Sequence, residues 1–331
     1  KNLKVNQKTN YLLQKVFLKI LLFFNLSNLK LFNKIYDYVY DISNIQNIFN
    51  INNSFDFIMT DYNSKSQIIR SSFLKKKRNF KIIFFTTSPL TTPGLSNSYN
   101  IKKKISPYPN VKYSDFLFVN SSYERYLWSR YISKKKIFSI GIPLFYNSRN
   151  RKKIKTKTKK VIISYNCPID KKIQIKSKKI IKKILEILSK VKNIEILIKV
   201  HPIKREKYIY DLVNEINVNN IKFSEKNLIE LFYNANLHIS LSRTAAITYA
   251  NHFNVPSIAW TEERRDLGEL QEKMGLVNVY PDINILINTA KRILYKDSKI
   301  KFRQYKNYKK FYSSNPKNKI LHIFNIMKRI N

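Results

Sequence analysis

Short apolar runs alternate with helical periods along most of this chain. The clearest stretch is residues 160–260. It opens with Val161-Ile162-Ile163-Ser164-Tyr165, a run of strand length. A helical period follows over residues 178–191. A second apolar run, Ile194 to Val200, ends abruptly in His201-Pro202. Beyond it the pattern predicts a helix, a strand at 220–223, a helix at 228–234 and a strand at 237–240. The turn Leu241-Ser242-Arg243-Thr244 then leads into a helix rich in small residues at 245–253, and a strand at 256–260 closes the unit. Strand-length apolar runs between helical periods mark βαβ units on a buried parallel sheet. Ligands of such sheets bind outside the carboxyl ends of the strands, where His201 and the 242–244 turn fall.

The first half reads the same way. Strands are predicted at 55–61, 81–85, 113–120 and 136–140, with helices at 66–76 and 123–133. Ser121 or Ser122 is placed to cap the second helix. Residues 86–94 form a polar loop with turn residues. The predicted class is therefore α/β with two parallel-sheet domains. The first covers 1–147 and starts with amphipathic helices. A polar, basic linker covers 148–159, the second domain 160–297, and a helical tail 298–331.

Composition narrows the reading. Hydrophobic residues at 44% fit a folded protein rather than a disordered one. The net charge of +42 points towards polyanions. The lysines are spread along the whole chain, however, and Lys, Asn and Ile dominate throughout, so compositional drift accounts for most of the excess. One cysteine, Cys167, excludes an intrachain disulfide framework and a cysteine-rich zinc site. No leader pattern is evident. The longest apolar stretch, 16–26, is too short to span a bilayer. Residues 11–35 place Leu, Phe and Ile at helical spacing among lysines. They read as helices packed on the first domain or as a basic amphipathic segment on an anionic membrane.

Candidate chemistry sits at the predicted strand ends. His201 can face a cleft there and donate to a phosphate oxygen. Ser242, Arg243 and Thr244 stand before a helix, whose free N–H groups suit an anion; simple capping by Ser or Thr is the plainer account. Glu262, in a charge run just after a strand, is a candidate ribose or substrate contact. His238 alternates with apolar residues and reads as a core histidine or one satisfied at a sheet edge. There is no glycine-rich dinucleotide fingerprint, no phosphate loop and no metal-ligand spacing.

Taken together, Leu197-Ile198-Lys199-Val200-His201-Pro202, residues Leu231 to Thr244, and Asn254-Val255-Pro256-Ser257-Ile258-Ala259 resemble the donor domain of GT-B glycosyltransferases. Capsule and surface-polysaccharide transferases and the glycerophosphate transferases of teichoic acid synthesis look most similar. Ser114 to Ser121 and Lys136 to Pro143 look like the last part of their acceptor domain. Three departures mark a diverged member. Arg243-Thr244 or Thr244-Ala245 occupies the usual Ser-Ser or Ser-Thr pair. Thr248 or Tyr249 occupies the place of a ribose-binding acid. No histidine precedes His201, which excludes catalysis by an acceptor-domain histidine.

The resemblance implies two Rossmann-like domains facing a cleft. It implies transfer of a sugar from a nucleotide-activated donor to a surface or capsular glycan or a lipid-linked acceptor. His201, Ser242, Arg243 and Thr244 would hold the donor phosphates, and Ser164, Glu225 and Glu262 the nucleoside or substrate. Asp61 is the favoured base, with Glu124 and Asp115 as alternatives. No cofactor and no metal are expected. The implied location is cytoplasmic, peripheral at the inner face of the membrane. Glycerophosphate or polyol-phosphate transfer is the nearest rival, and a sugar-nucleotide epimerase shares the architecture. A nucleic-acid-binding or non-catalytic assembly protein is the rival of another class, although no specific nucleic acid is expected. The tail with Tyr305, Tyr308, Phe311 and Tyr312 among lysines is the one stretch suited to base stacking.

Overall fold

The structure is a computed structural model. It describes residues 57–61, 81–86, 114–142, 145, 157–165, 171–200, 207–241, 244–260, 269–296, 299–312 and 323. The helices expected at 11–35 and 66–76, the loop at 87–94 and linker residues 148–156 lie outside these residues.

The first sheet has four parallel strands in chain order, β1 (Phe57–Asp61), β2 (Lys81–Phe85), β3 (Phe116–Val119) and β4 (Ile137–Ser139). Helix α1 (Ser122–Trp128) follows β3. Ser121 is its cap, the hydroxyl accepting from the Glu124 N–H at 3.1 Å. The apolar pattern predicted a helix reaching residue 133. It stops earlier because the Ser129 hydroxyl donates to the Tyr126 carbonyl at 2.7 Å, a local bond that competes with helix continuation.

The second sheet has six strands, β5 (Lys159–Tyr165), β6 (Ile194–Val200), β7 (Ile221–Phe223), β8 (Leu237–Ser240), β9 (Ser257–Ala259) and β10 (Asn278–Val279). All are parallel, in the order β10-β9-β8-β5-β6-β7. Counted from β5, this is the doubly wound order 3-2-1-4-5-6. The sheet is buried on both faces. Val161, Ile163 and Tyr165 of β5 join a core with α2 (Lys171–Ser189), α3 (Lys207–Ile216) and α7 (Ile283–Tyr295). Ile162, one residue out of phase, joins a second core with α4 (Leu228–Tyr233), α5 (Ala246–His252) and α8 (Lys299–Phe311). Period-2 alternation thus sorts one strand between two helical layers. Helix α2 begins seven residues before the predicted start, because its first turns are lysine-rich. Such residues favour helix without leaving an apolar period. The short helix α6 (Glu269–Lys273), β10 and α7 were not distinguished in the sequence pattern.

Helix α8 does more than cover a face. Gln304 is fully buried, and its carboxamide accepts from the Ser257 N–H at 2.7 Å and donates to the Ser257 carbonyl at 2.8 Å. Strand β10 reaches only Ile258 and Ala259, so this side chain replaces the missing strand residue beside Ser257. At its end the chain meets the first domain: Tyr312 bridges Ser121, and the Phe311 carbonyl accepts from the Ser122 hydroxyl at 3.3 Å. Ile323 lies in the core of the first sheet with Ile83, Phe118 and Ile140. Replacing Gln304 with Leu leaves two buried backbone groups unpaired. The expected loss is about 2–4 kcal/mol of stability, read from the urea midpoint; a variant as stable as the parent would show that the amide pairing is idle.

Candidate functional site

The strand order of the second sheet reverses between β5 and β8, and an open α/β sheet binds its ligand in the crevice at that point. The polar residues of the central strands gather there. Ser164 ends near the top of β5 and Ser240 ends β8; both are buried. The Ser164 hydroxyl lies 2.8 Å from His238 Nε2, and His238 Nδ1 lies 3.0 Å from the Ser257 hydroxyl. A third contact, between the Ser164 and Ser240 hydroxyls at 3.5 Å, extends the line. One ring nitrogen donates and the other accepts, and a serine hydroxyl can serve either role, so both nitrogens are satisfied. Burial pushes the His238 pKa down to about 3, so the ring is neutral. As the sequence suggested, His238 is a satisfied core residue. Ser164, expected to touch the nucleoside, stands in this cross-strand line near the end of β5.

The turn after β8 carries the second set of groups. Ser242 and Arg243 lie outside the described residues, as do His201 and Glu262. Thr244 is described and does not cap α5. The cap position is Ala245, which has helical backbone angles and no side-chain bond. The Thr244 hydroxyl oxygen is instead buried without a partner. Gln271 of α6, fully buried, donates to the Thr244 carbonyl at 3.2 Å and to the Thr248 hydroxyl at 2.9 Å. Its own Oε1 has no partner. Two buried oxygens with open hydrogen-bonding capacity at one strand-end turn are unusual, since buried polar groups are nearly always satisfied. A lone glutamine carries no spacing signal, so the sequence pattern does not mark Gln271. Glu225, another expected nucleoside or substrate contact, is exposed; its carbonyl accepts from the Lys199 ammonium at 3.1 Å.

On the first sheet, Asp61 closes β1 at its carboxyl end. Asp115 immediately precedes β3, at the opposite, amino end of the strands, and so does not share the strand-end edge with Asp61. Among the described residues, Glu124 has the most perturbed carboxyl group. It is fully buried, and its Oε2 accepts from the Asn120 N–H at 3.0 Å and from the Thr86 hydroxyl at 3.2 Å. The Asn120 amide donates in turn to the Thr86 hydroxyl at 2.7 Å and to its carbonyl at 3.1 Å. Oε1 is buried without a partner. Burial, opposed by these hydrogen bonds, pushes the pKa up to about 7. Tyr312, also buried, feels this carboxylate; burial first and the Glu124 charge second raise its phenol well above the usual range. The Tyr312 hydroxyl lies near Thr248 and Ser121 without a well-formed bond to either. No cluster of metal-ligating side chains occurs among the described residues.

Solved structures place this arrangement. A protein from Listeria monocytogenes assigned as a UDP-N-acetylglucosamine 2-epimerase is similar at TM-score 0.65 and 12% identity, over 89% of this chain and 80% of that one. This is the GT-B fold. The Methanocaldococcus jannaschii UDP-GlcNAc 2-epimerase, solved with UDP-GlcNAc and UDP, is similar at TM-score 0.55 and 17% identity, over 88% and 81% of the two chains. The calicheamicin glycosyltransferase is similar at TM-score 0.56 and 9% identity, over 89% and 80%. No family model matches the sequence, and no curated protein matches it significantly.

The Glu124 pKa gives a pH prediction. The folded value of about 7 stands above the ordinary 4.5, so the native state holds a proton that the unfolded chain releases. The contribution is complete below 4.5 and is lost as pH rises through 7. Relative to Glu124→Gln, the parent should lose on the order of 3 kcal/mol between pH 4.5 and 8. Parallel stability–pH curves from urea unfolding would contradict a protonated Glu124.

Proposed function

We propose that this GT-B protein handles a nucleotide-activated sugar at the crevice between β5 and β8, and that it transfers the sugar to a glycan or lipid-linked acceptor. One observation carries the reading: two buried, unpartnered oxygens, on Thr244 and Gln271, stand at the switch-point turn of a doubly wound sheet. Those groups, with His201, Ser242 and Arg243 of the adjoining segments, would meet the donor. The Thr244 hydroxyl, His201 and Arg243 would donate to charge developing on the departing nucleotide, while Gln271 Oε1, an acceptor, would meet a hydroxyl of the donor. Asp61, at the carboxyl end of β1, would take the acceptor proton. The surface or capsular nature of the acceptor rests on the sequence resemblance.

A second reading is favoured by a specific observation. The Listeria and Methanocaldococcus structures carry epimerase names, and the first has the higher TM-score of the set described above. A 2-epimerase would interconvert a free nucleotide sugar with no acceptor present.

Incubation with UDP-sugars, with and without acceptor glycan, separates the two. Release of nucleotide that requires acceptor supports transfer. A change of sugar configuration without acceptor supports epimerisation. In either case His201→Ala and Thr244→Ala should each weaken nucleotide binding by about 1–3 kcal/mol, measured by calorimetry. Unchanged affinity in both folded variants would reject this site. For transfer, Asp61→Asn should abolish turnover while leaving donor affinity intact.

A further inference from the structure

Helix α8 has two opposite faces. Ile300, Gln304 and Tyr308 are buried against the second domain. Lys299, Phe302, Arg303, Lys306, Lys309 and Lys310 are exposed. At 100° per residue these six lie within an arc of roughly 120°, facing away from the buried three. The helix contains six cations and no carboxylate. Phe302 is 71% exposed, the most of any large apolar side chain described.

Lysines crowd the whole sequence, so charge alone distinguishes nothing. The combination does: a phenyl ring projects between Lys299 and Lys306, one helical turn to either side, on the cationic face of an element already anchored from behind. The other aromatic residues of this segment are engaged. Tyr308 and Tyr312 are buried and stacked on each other at 4.8 Å. Phe311 packs edge-on against Tyr123, and the Lys309 ammonium covers the Tyr305 ring at 4.4 Å. That removes the row of open aromatic planes on which single-stranded nucleic acid would stack. One apolar wedge flanked by cations suits an anionic lipid surface, where the phenyl enters below the headgroups and the cations meet them.

We propose that the outward face of α8 docks on an anionic membrane, with Phe302 inserted and the surrounding cations at headgroup level. The proposal is independent of the chemistry at the crevice, which nucleotide-sugar assays in solution read without lipid.

Co-sedimentation of the full chain with phosphatidylglycerol–phosphatidylcholine vesicles tests it, beside vesicles of phosphatidylcholine alone. Replacing Lys306, Lys309 and Lys310 together by Gln should lower partition into the anionic vesicles on the order of 100-fold. Phe302→Ala should lower it about tenfold. Replacing three exposed lysines elsewhere, Lys179, Lys183 and Lys190, by Gln is the charge-matched control and should cost about threefold at most, since cations far from the contact are screened. Equal loss in both triple variants would assign the binding to bulk charge and overturn the proposal. So would an unaffected Phe302→Ala, or a parent protein that ignores anionic vesicles at low salt. An α8 triple variant that loses affinity for a single-stranded oligonucleotide but keeps its vesicle binding would also overturn it, in favour of nucleic acid.

Discussion

A neutral imidazole ties the centre of the second sheet together. His238 lies on β8 between Ser164 of β5 and Ser257 of β9, and reaches both hydroxyls. These three strands flank the point where strand order reverses. Burying an imidazole in a sheet is tolerable only with both nitrogens bonded, because an unpaired polar atom there forfeits its hydration. The requirement sets partners on both neighbouring strands, in one register. A one-residue slip of β8 would turn His238 into the opposite, wholly apolar layer formed with α2, α3 and α7. The polar line therefore fixes where β5 and β8 end relative to each other, and so where the 241–244 turn stands.

The same need for satisfied polar groups explains the junction. Strand β10 is two residues long and leaves the Ser257 backbone short of a partner. Gln304 fills the gap, which sets the height of α8 against the sheet. From that height the helix delivers Tyr312 to Ser121 and Phe311 to Ser122, at the capped start of α1. Phe145, six residues beyond β4, stacks on His252 at 4.0 Å. His252 is held in turn by the Tyr308 hydroxyl at 2.9 Å. One glutamine amide thus links sheet completion in the second domain to the point where the tail meets the first.

The architecture was legible in the sequence, and the site only in part. Strands buried on both faces leave apolar runs that need no tertiary information, so β2, β3, β5, β6 and β8 were readable. Two-residue β10 and lysine-rich α2 were blurred, one by brevity and the other by polar helix formers. Thr244 drew attention by its place before a helix. The capping account predicted there fails because Ala245, not Thr244, holds the cap position. Gln271 and Glu124 depend on what packs around them. Glutamine and glutamate look like surface residues in any pattern, and only burial turns them into a perturbed acid and an open acceptor. The stacking aromatics predicted in the tail were a correct composition with the wrong exposure, since Tyr308 and Tyr312 face inward.

Two buried titratable groups also act against each other across the molecule. His238, held down to about 3, gives stability that is complete above the ordinary 6.5 and is lost as pH falls through 3. Glu124, raised to about 7, gives stability that is complete below 4.5 and is lost as pH rises through 7. Between 4.5 and 6.5 the native state lacks one proton at His238 and holds one extra at Glu124, so the two slopes cancel. Above that window Glu124 acts alone, and the loss appears at the first domain and its contact with Tyr312. Below it His238 acts alone, and the loss appears at the centre of the second sheet. A flat plateau near pH 5.5 would thus reflect two opposed proton balances in different domains rather than an absence of titration. The molecule has a different weak point on either side of it: the chain crossing at Tyr312 in mild base, and the β5–β8–β9 line in acid.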